Sequence, residues 1–294
     1  MAKPTASLHK KQSMIGWAFL MPATLLIVAM NFIPMLQALI LSFQSGIGNN
    51  LNWSGISNYI RLAGDSTFRT ALINNFVYLI IQVPIMLILA IILAVLLNSK
   101  DLKLKGLWRT AIFLPCCTAL VSYSIIFKTL FAYDGYINTI LLNLGLLHER
   151  VNWLGNTSTA KIILILALIW RWTGYNMVFF LAGLQNIDES LYEAAKIDGA
   201  GPVKRFFTIT MPLLRPTLLL TTIMSINGTL QLFDESVNLT AGGPANSTLT
   251  MSHYIYKAMF EYNPQFGYAA AMSYVIFILV AVLSFIQMKV GDKR

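Results

Sequence analysis

A chain of 294 residues that is 56% hydrophobic and only 11% charged, with a mean hydropathy of +0.65, is too apolar for a soluble domain of this size and reads as a polytopic membrane protein. Its net charge of +9 would suit a nucleic-acid partner in a soluble protein, but the basic residues lie between the apolar runs, where membrane topology accounts for them. No GxxxxGK[ST] stretch is present to cradle a phosphate, so any ATP consumed is expected to bind another chain.

Apolar runs long enough for the roughly 30 Å hydrocarbon core fall at about 14 to 33, 70 to 97, 109 to 130, 160 to 184, 213 to 236 and 266 to 288. The expected fold is therefore all-α, with six transmembrane helices and both ends on one side. The basic start "MAKPTASLHKK" lacks a small-residue cleavage site and is read as leading into a retained first helix. After Pro34, "MLQALILSF" either extends that helix or lies in the interface. The domain organisation expected is an N-terminal segment over 1–13, a membrane domain over 14–288 with a loop at about 185–216, and a tail over 289–294. Outside the spans no hydrophilic segment exceeds about 40 residues, so no appended soluble domain is expected.

Lys and Arg concentrate in short cytoplasmic segments. Lys3, Lys10, Lys11, Lys100, Lys103, Lys105, Arg109, Lys196, Lys204, Arg205, Arg215, Lys289, Lys293 and Arg294 fall on one side; Arg61, Arg69, Arg150 and Lys257 fall on the other. Both termini and the loop after the fourth span are thereby expected on the cytoplasmic side. Cys116 and Cys117, adjacent in "FLPCCTAL", are read as small packing residues, because a strain-free disulfide is not expected between neighbours. His9, His148 and His253 are scattered without HExxH or CxxC spacing, so no metal site is indicated.

The loop "EAAKIDGAGPVKRFFTITMPLLRP" (193–216) is the least membrane-like part of this half. Ser190 and Glu193 stand at capping-box spacing, which places a helix start at Ser190. Gly199 suits the positive φ that ends a helix, and Pro202 suits the first turn of a second short helix before Met211 and Pro212 lead into the fifth span. Two readings are open. Phe206, Phe207 and Lys204 fit an ordinary amphipathic connector at the interface; Ala194 and Ala195 beside Glu193 make a low-profile surface suited to a groove on a partner.

The same stretch resembles the EAA loop of binding-protein-dependent ABC importer permeases, with Glu193, Ala194, Ala195 and Gly199 at the family's spacing, Pro212 and Pro216 at its ending, and Met211 in place of the usual leucine. "WAFLMPATLLIVAMNFIPMLQALILSF", "GLWRTAIFLP", "VNLTAGGPANSTLTMSHYIYKAMFE" and "GYAAAMSYVIF" are similar to MalF-related carbohydrate permeases in their compact six-span form, of the lactose or arabinose-oligosaccharide type. The resemblance implies a type I importer permease fold that imports a di- or oligosaccharide and has no cofactor of its own. It implies as partners a second homologous permease, two ATPase subunits that hold ATP and Mg, and an extracytoplasmic sugar-binding protein. Glu193, Ala194, Ala195, Asp198 and Gly199 would then form a coupling helix docked on the ATPase: the carboxylate meets its surface, the alanines allow close fit, and the glycine makes the turn.

A sugar pathway needs hydrogen-bonding groups and aromatic faces within the spans, where polar residues usually face a cavity or another helix. Asn227, Gln231 and Asp234 stand at i, i+4 and i+7 on one predicted face of the fifth span. A cavity wall and interhelical hydrogen bonding are both open for them. Asp234 and Glu235 are expected near the outer mouth, roughly 21 residues and about 31 Å from the cytoplasmic end. In the fourth span Arg171 falls near mid-depth and demands a partner or water; serving the sugar, pairing with an acid, Asp234 being the first to consider, and bracing the second permease are all open. Trp172 with Asn176, and Arg171 with Tyr175, share faces that suit either stacking on a sugar or packing.

A secondary transporter driven by an ion gradient is the alternative, in which Arg171 and Asp234 form an ion or proton relay. A membrane-embedded enzyme lacks a nucleophile, metal or paired-carboxylate constellation.

Overall fold

The structure is a computed structural model that describes residues 5–99 and 101–291; Lys3, Lys100, Lys293 and Arg294, invoked above for orientation, lie outside the described residues. In chain order the elements are α1 (Thr5–Ile27), α2 (Ile33–Ser42), β1 (Gln44–Ile47), β2 (Asn50–Trp53), α3 (Ser57–Gly64), α4 (Ser66–Asn98), α5 (Lys105–Cys117), α6 (Leu120–Leu130), α7 (Tyr136–Asn143), α8 (Thr157–Gln185), α9 (Glu189–Ile197), α10 (Pro202–Arg205), α11 (Met211–Leu230), α12 (Met251–Tyr256) and α13 (Phe266–Gly291). Single π turns join α1 to α2 and α10 to α11 without a break. Among the described residues five helices are long and apolar enough to cross a membrane: Lys10–Ser42, Ser66–Asn98, Thr157–Gln185, Pro202–Leu230 and Phe266–Gly291.

Of the two readings open for the stretch after Pro34 the first holds, and the expectation for the third span is corrected. "MLQALILSF" continues the first helix past Pro34, giving 33 residues rather than about 20. The third span, expected as one run over 109–130, is the pair α5 and α6 bent by 97°. Pro115 lies in the last turn of α5, and Thr118 and Ala119 follow with extended ψ of 137° each. A proline amide cannot extend the ladder, and hydropathy is blind to that. Helices α4 and α8 begin about a turn before their apolar runs because polar caps start them. Asp65 accepts from the amides of Thr67 and Phe68 at 2.8 and 3.1 Å, and Asn156 accepts from that of Ser158 at 2.9 Å.

The chain forms two compact units. One comprises residues up to Gly64 together with Ala258–Tyr274. It contains the long first helix and a two-stranded antiparallel hairpin, in which Gln44 faces Trp53 and Ile47 faces Asn50. The hairpin is an exception to the all-α expectation. It is held by local chemistry: the Asn58 amide donates to the carbonyls of Ser42 and Gln44 at 2.9 and 2.7 Å, and Phe43 stacks on Trp53 at 5.8 Å. Gly267 lets the start of α13 approach, since a Cβ there would stand 1.8 Å from the Gln44 carbonyl oxygen.

The second unit, Asp65–Lys257 with residues from Val275 onward, contains the packed bundle of α4, α5, α8 and α11. Lipid is as apolar as leucine, so helices in a membrane associate through close packing and internal hydrogen bonds rather than hydrophobic expulsion. Small residues at the contact serve the first purpose: Ala71, Ala90, Ala94, Ala160 and Ala167 are all fully buried. Met86, Met177, Phe180 and Leu214 fill the remaining space.

Two adjacent asparagines in α4 serve the second. Asn74 donates to the carbonyls of Asn246 and Leu249 at 3.0 and 2.9 Å. Asn75 donates to those of Thr229 and Leu230 at 2.9 and 3.1 Å and accepts from the Met251 amide at 3.0 Å. Asn75 thus ties the end of α11 to the start of α12, and it is fully buried. Asn75→Leu keeps the volume but strips buried backbone groups of partners, at about 1–3 kcal/mol each. The expected result is a clear drop in the thermal unfolding midpoint of the detergent-purified protein; an unchanged midpoint would mean that those groups find other partners.

Candidate functional site

Helices α4, α8 and α11 and the segment after α11 line a cavity of about 330 Å³, within the range of small-molecule sites. Trp172, Tyr175 and Asn176 reach it from one face of α8 at i, i+3 and i+4. The Trp172 and Tyr175 rings meet edge to face at 5.8 Å. Gln82 of α4 and Ser225 and Thr229 of α11 add polar groups that the sequence reading did not select. They are linked: Thr229 Oγ1 donates to Gln82 Oε1 at 3.1 Å, and Asn176 Nδ2 donates to the Trp172 carbonyl at 3.0 Å. The wall is therefore preorganised by its own hydrogen bonds and by the edge-to-face contact of its two rings.

The predicted stripe Asn227, Gln231 and Asp234 does not lie on one helix. α11 ends at Leu230, Gln231 caps it, and the chain bends before π turn Ser236–Thr240. Gln231 and Asp234 still line the cavity, brought there by the bend rather than by helical spacing. Asn227 turns to α13, where its side-chain oxygen accepts from Ser284 at 3.2 Å; it is interhelical and does not line the cavity. Glu235, expected with Asp234 near the outer mouth, is 4% exposed and lines the cavity, with Trp172 Nε1 3.4 Å from its Oε1.

Arg171 is a second correction. It is 6% exposed, does not line the cavity and is not paired with Asp234. Its Nη1 donates to the Thr118 carbonyl at 3.0 Å, and its guanidinium lies 5.0 Å from the Tyr123 ring centre and 5.6 Å from that of Trp172. Thr118 is the extended residue at the break between α5 and α6. The broken helix supplies the carbonyl and the cation fills it, so Arg171 braces the break from behind the wall that Trp172 presents.

The loop after α8 is built from local rules. α9 starts at Glu189, one residue before the expected Ser190, because Asp188 is its N-cap and accepts from the Ser190 amide at 2.9 Å. That bond, and then the Ser190 hydroxyl, hold the Asp188 carboxyl below its ordinary value. The cap's contribution is complete above that ordinary value and is lost only as pH falls through the depressed one. At the other end Gly199 has φ of +75°. The Ala200 amide donates to the Ala195 carbonyl at 2.9 Å and the Gly199 amide to that of Lys196 at 3.1 Å, closing a Schellman motif.

Glu193, Ala194, Asp198 and Gly199 are exposed, and Ala195 is half-buried. Exposed Leu191, Ile197, Val203 and Phe207 flank them, with Ile197 at 86%. Pro202 opens the next helix as expected, but that helix does not stop. It widens into a π turn over Phe206–Thr210 just before Pro212 and runs on to Leu230. The hydroxyls of Tyr192 and Thr210 share a hydrogen bond at 2.9 Å. α9 is thus fastened to the helix that carries Ser225 and Thr229 to the cavity.

The family model for the binding-protein-dependent transport system inner membrane component matches residues 60–294. The chain is 50% identical over 291 residues to the lactose transport system permease protein LacF of Rhizobium radiobacter, covering 98% of each. It is 36% identical over 280 residues to the arabinooligosaccharides transport system permease protein AraP of Halalkalibacterium halodurans, covering 94% of this chain and 87% of the relative. The crystal structure of a bacterial ABC transporter involved in the import of the acidic polysaccharide alginate shares its fold, with a TM-score of 0.86 over 99% of both chains at 21% identity.

Proposed function

This chain belongs to the family of binding-protein-dependent transport system inner membrane components, and we propose from that premise that it is the permease half of an ATP-driven importer of an uncharged disaccharide of the lactose type. It is a membrane-spanning transport subunit, not an enzyme. The observation that carries the substrate class is the cavity wall, where two aromatic rings stand beside amide and hydroxyl groups already held in place. Such a wall suits a polyhydroxylated ring with one apolar face. The identity of the relatives supports the same class.

A second homologous permease completes the pathway, two ATPase subunits bind ATP and Mg, and an extracytoplasmic binding protein delivers the sugar. The basic residues favour both termini and α9 in the cytoplasm. There Glu193, Ala194, Ala195, Asp198 and Gly199 form the surface that the ATPase holds, with Ala195 contributing from its edge. Closure of the ATPase pair displaces α9 as one capped body. The Tyr192–Thr210 bond hands that displacement to the long helix, and Ser225 lies about 22 Å further along it. The cavity wall is thereby moved by a rod rather than by a flexible linker.

The test is uptake of labelled lactose into ATP-replete vesicles that contain the chain with its co-purifying partners. Uptake that persists with a protonophore and stops when ATP is exhausted is expected. Uptake abolished by the protonophore while ATP remains would overturn the reading in favour of a gradient-driven transporter.

A further inference from the structure

We propose that Asp234 and Glu235 make the cavity a charge filter that admits uncharged sugars and rejects sugars bearing a carboxylate. The inference rests on the sugar-importer reading and deepens it. Both acids line the cavity, and among the described residues that line it there is no lysine, arginine or histidine. The nearest candidate cation in the sequence, Arg171, is turned to the Thr118 carbonyl and the Tyr123 ring.

Recognition of a sugar carboxylate calls for a cation or converging donors. Here the wall offers amides, hydroxyls and ring faces, which serve neutral and acidic sugars alike. Only the two carboxylates distinguish them. Asp234 is half-buried, so its repulsion of a like charge is screened less than in bulk water, while the burial of Glu235 disfavours its charged form and gives it the smaller share.

The fold itself sets no such preference, because a chain of the same fold stands in a transporter involved in the import of acidic alginate. Charge selection must then reside in side chains. The two acids stand in the helical turn that follows the bend after Leu230. Both reach the same space.

The experiment is equilibrium dialysis of the intact, detergent-purified transporter complex without its binding protein. Three labelled probes are used: lactose, lactose oxidised to the carboxylate at galactose C6, and the methyl ester of that acid. Lactose and the ester are expected to bind alike and the acid at least about tenfold more weakly. Asp234→Asn together with Glu235→Gln is expected to bring the acid within about threefold of lactose. Asp234→Asn alone, at the more open position, gives a partial gain and serves if the double variant does not assemble.

Equal binding of acid and lactose by the wild type overturns the filter and leaves the importer standing. So does a gap that neither variant narrows, since the discrimination would then be steric. Binding of no probe, with no ATP-driven lactose uptake, overturns the sugar reading and the filter together.

Discussion

Gly174→Val removes the folded protein from the membrane fraction. A Cβ on Gly174 would stand 2.0 Å from the carbonyl oxygen of Ile112, 2.7 Å from its carbonyl carbon and 3.0 Å from the Cα of Phe113. All three are backbone atoms of α5, so no rotamer change relieves the clash and the two helices must part. Separation strips packing along the contact, and packing is what holds helices together in lipid. It also pulls α5 from α8 at the place where Arg171 bonds the break after Thr118. Gly174→Ala, with one methyl, is expected to cost about 1–3 kcal/mol and to lower the unfolding midpoint while leaving some folded protein. Gly106→Ala, where a Cβ meets nothing within 4 Å, is the control. Equal accumulation and equal midpoints for all three variants would show that α5 and α8 do not approach this closely.

Gly199→Pro and Glu193→Lys both reduce sugar uptake by on the order of 100-fold while the protein stays in the membrane and its partner continues to hydrolyse ATP. Proline holds φ near −65° and has no amide; Gly199 requires φ of +75° and donates that amide to Lys196. The variant therefore unravels the end of α9, and a frayed helix cannot transmit displacement to Thr210. At roughly 3 kcal/mol for a misplaced proline, a loss of about two decades follows. Glu193→Lys leaves the helix intact and reverses a charge on its exposed face, so it tests docking apart from helix integrity. Membrane abundance is expected to be unchanged for both, and far-ultraviolet dichroism to be unchanged for Glu193→Lys. Normal uptake by both variants would sink the coupling role of this loop, and loss of ATP hydrolysis along with uptake would point to failed assembly instead.

Much of this was legible in the sequence for a simple reason. Hydrocarbon thickness sets a minimum length for an apolar helix, so most of the spans could be counted and placed within about a turn. The loop at 185–216 could be read because its structure obeys local rules: a left-handed glycine ends α9 and a proline opens the next helix. Even the one-residue error in its start was local, since Asp188 and Ser190 are both good caps and the sequence does not say which is used. Trp172, Tyr175 and Asn176 share a face because they belong to one unbroken helix.

What failed was the assumption that the fifth span continues as one helix to Asp234 and that the run over 109–130 is one helix; nor does spacing alone tell which polar residue of a span faces a cavity. Asn227 and Gln231 have the same spacing argument behind them, yet one bonds Ser284 and the other lines the cavity. α4 is apolar on all sides, so its buried stripe through Ala71, Tyr78, Ala90 and Ala94 leaves no amphipathic sign. By itself the sequence determined the place of most spans and the capped surface helix, because these depend on length and local backbone preference, and it pointed to the family through the resemblance of its 193–216 loop. Only the tertiary structure decided where Arg171 and Glu235 go and which polar side chains meet, because inside a uniformly apolar bundle the choice of face is made by close backbone approach and by the carbonyls that broken helices leave unpaired.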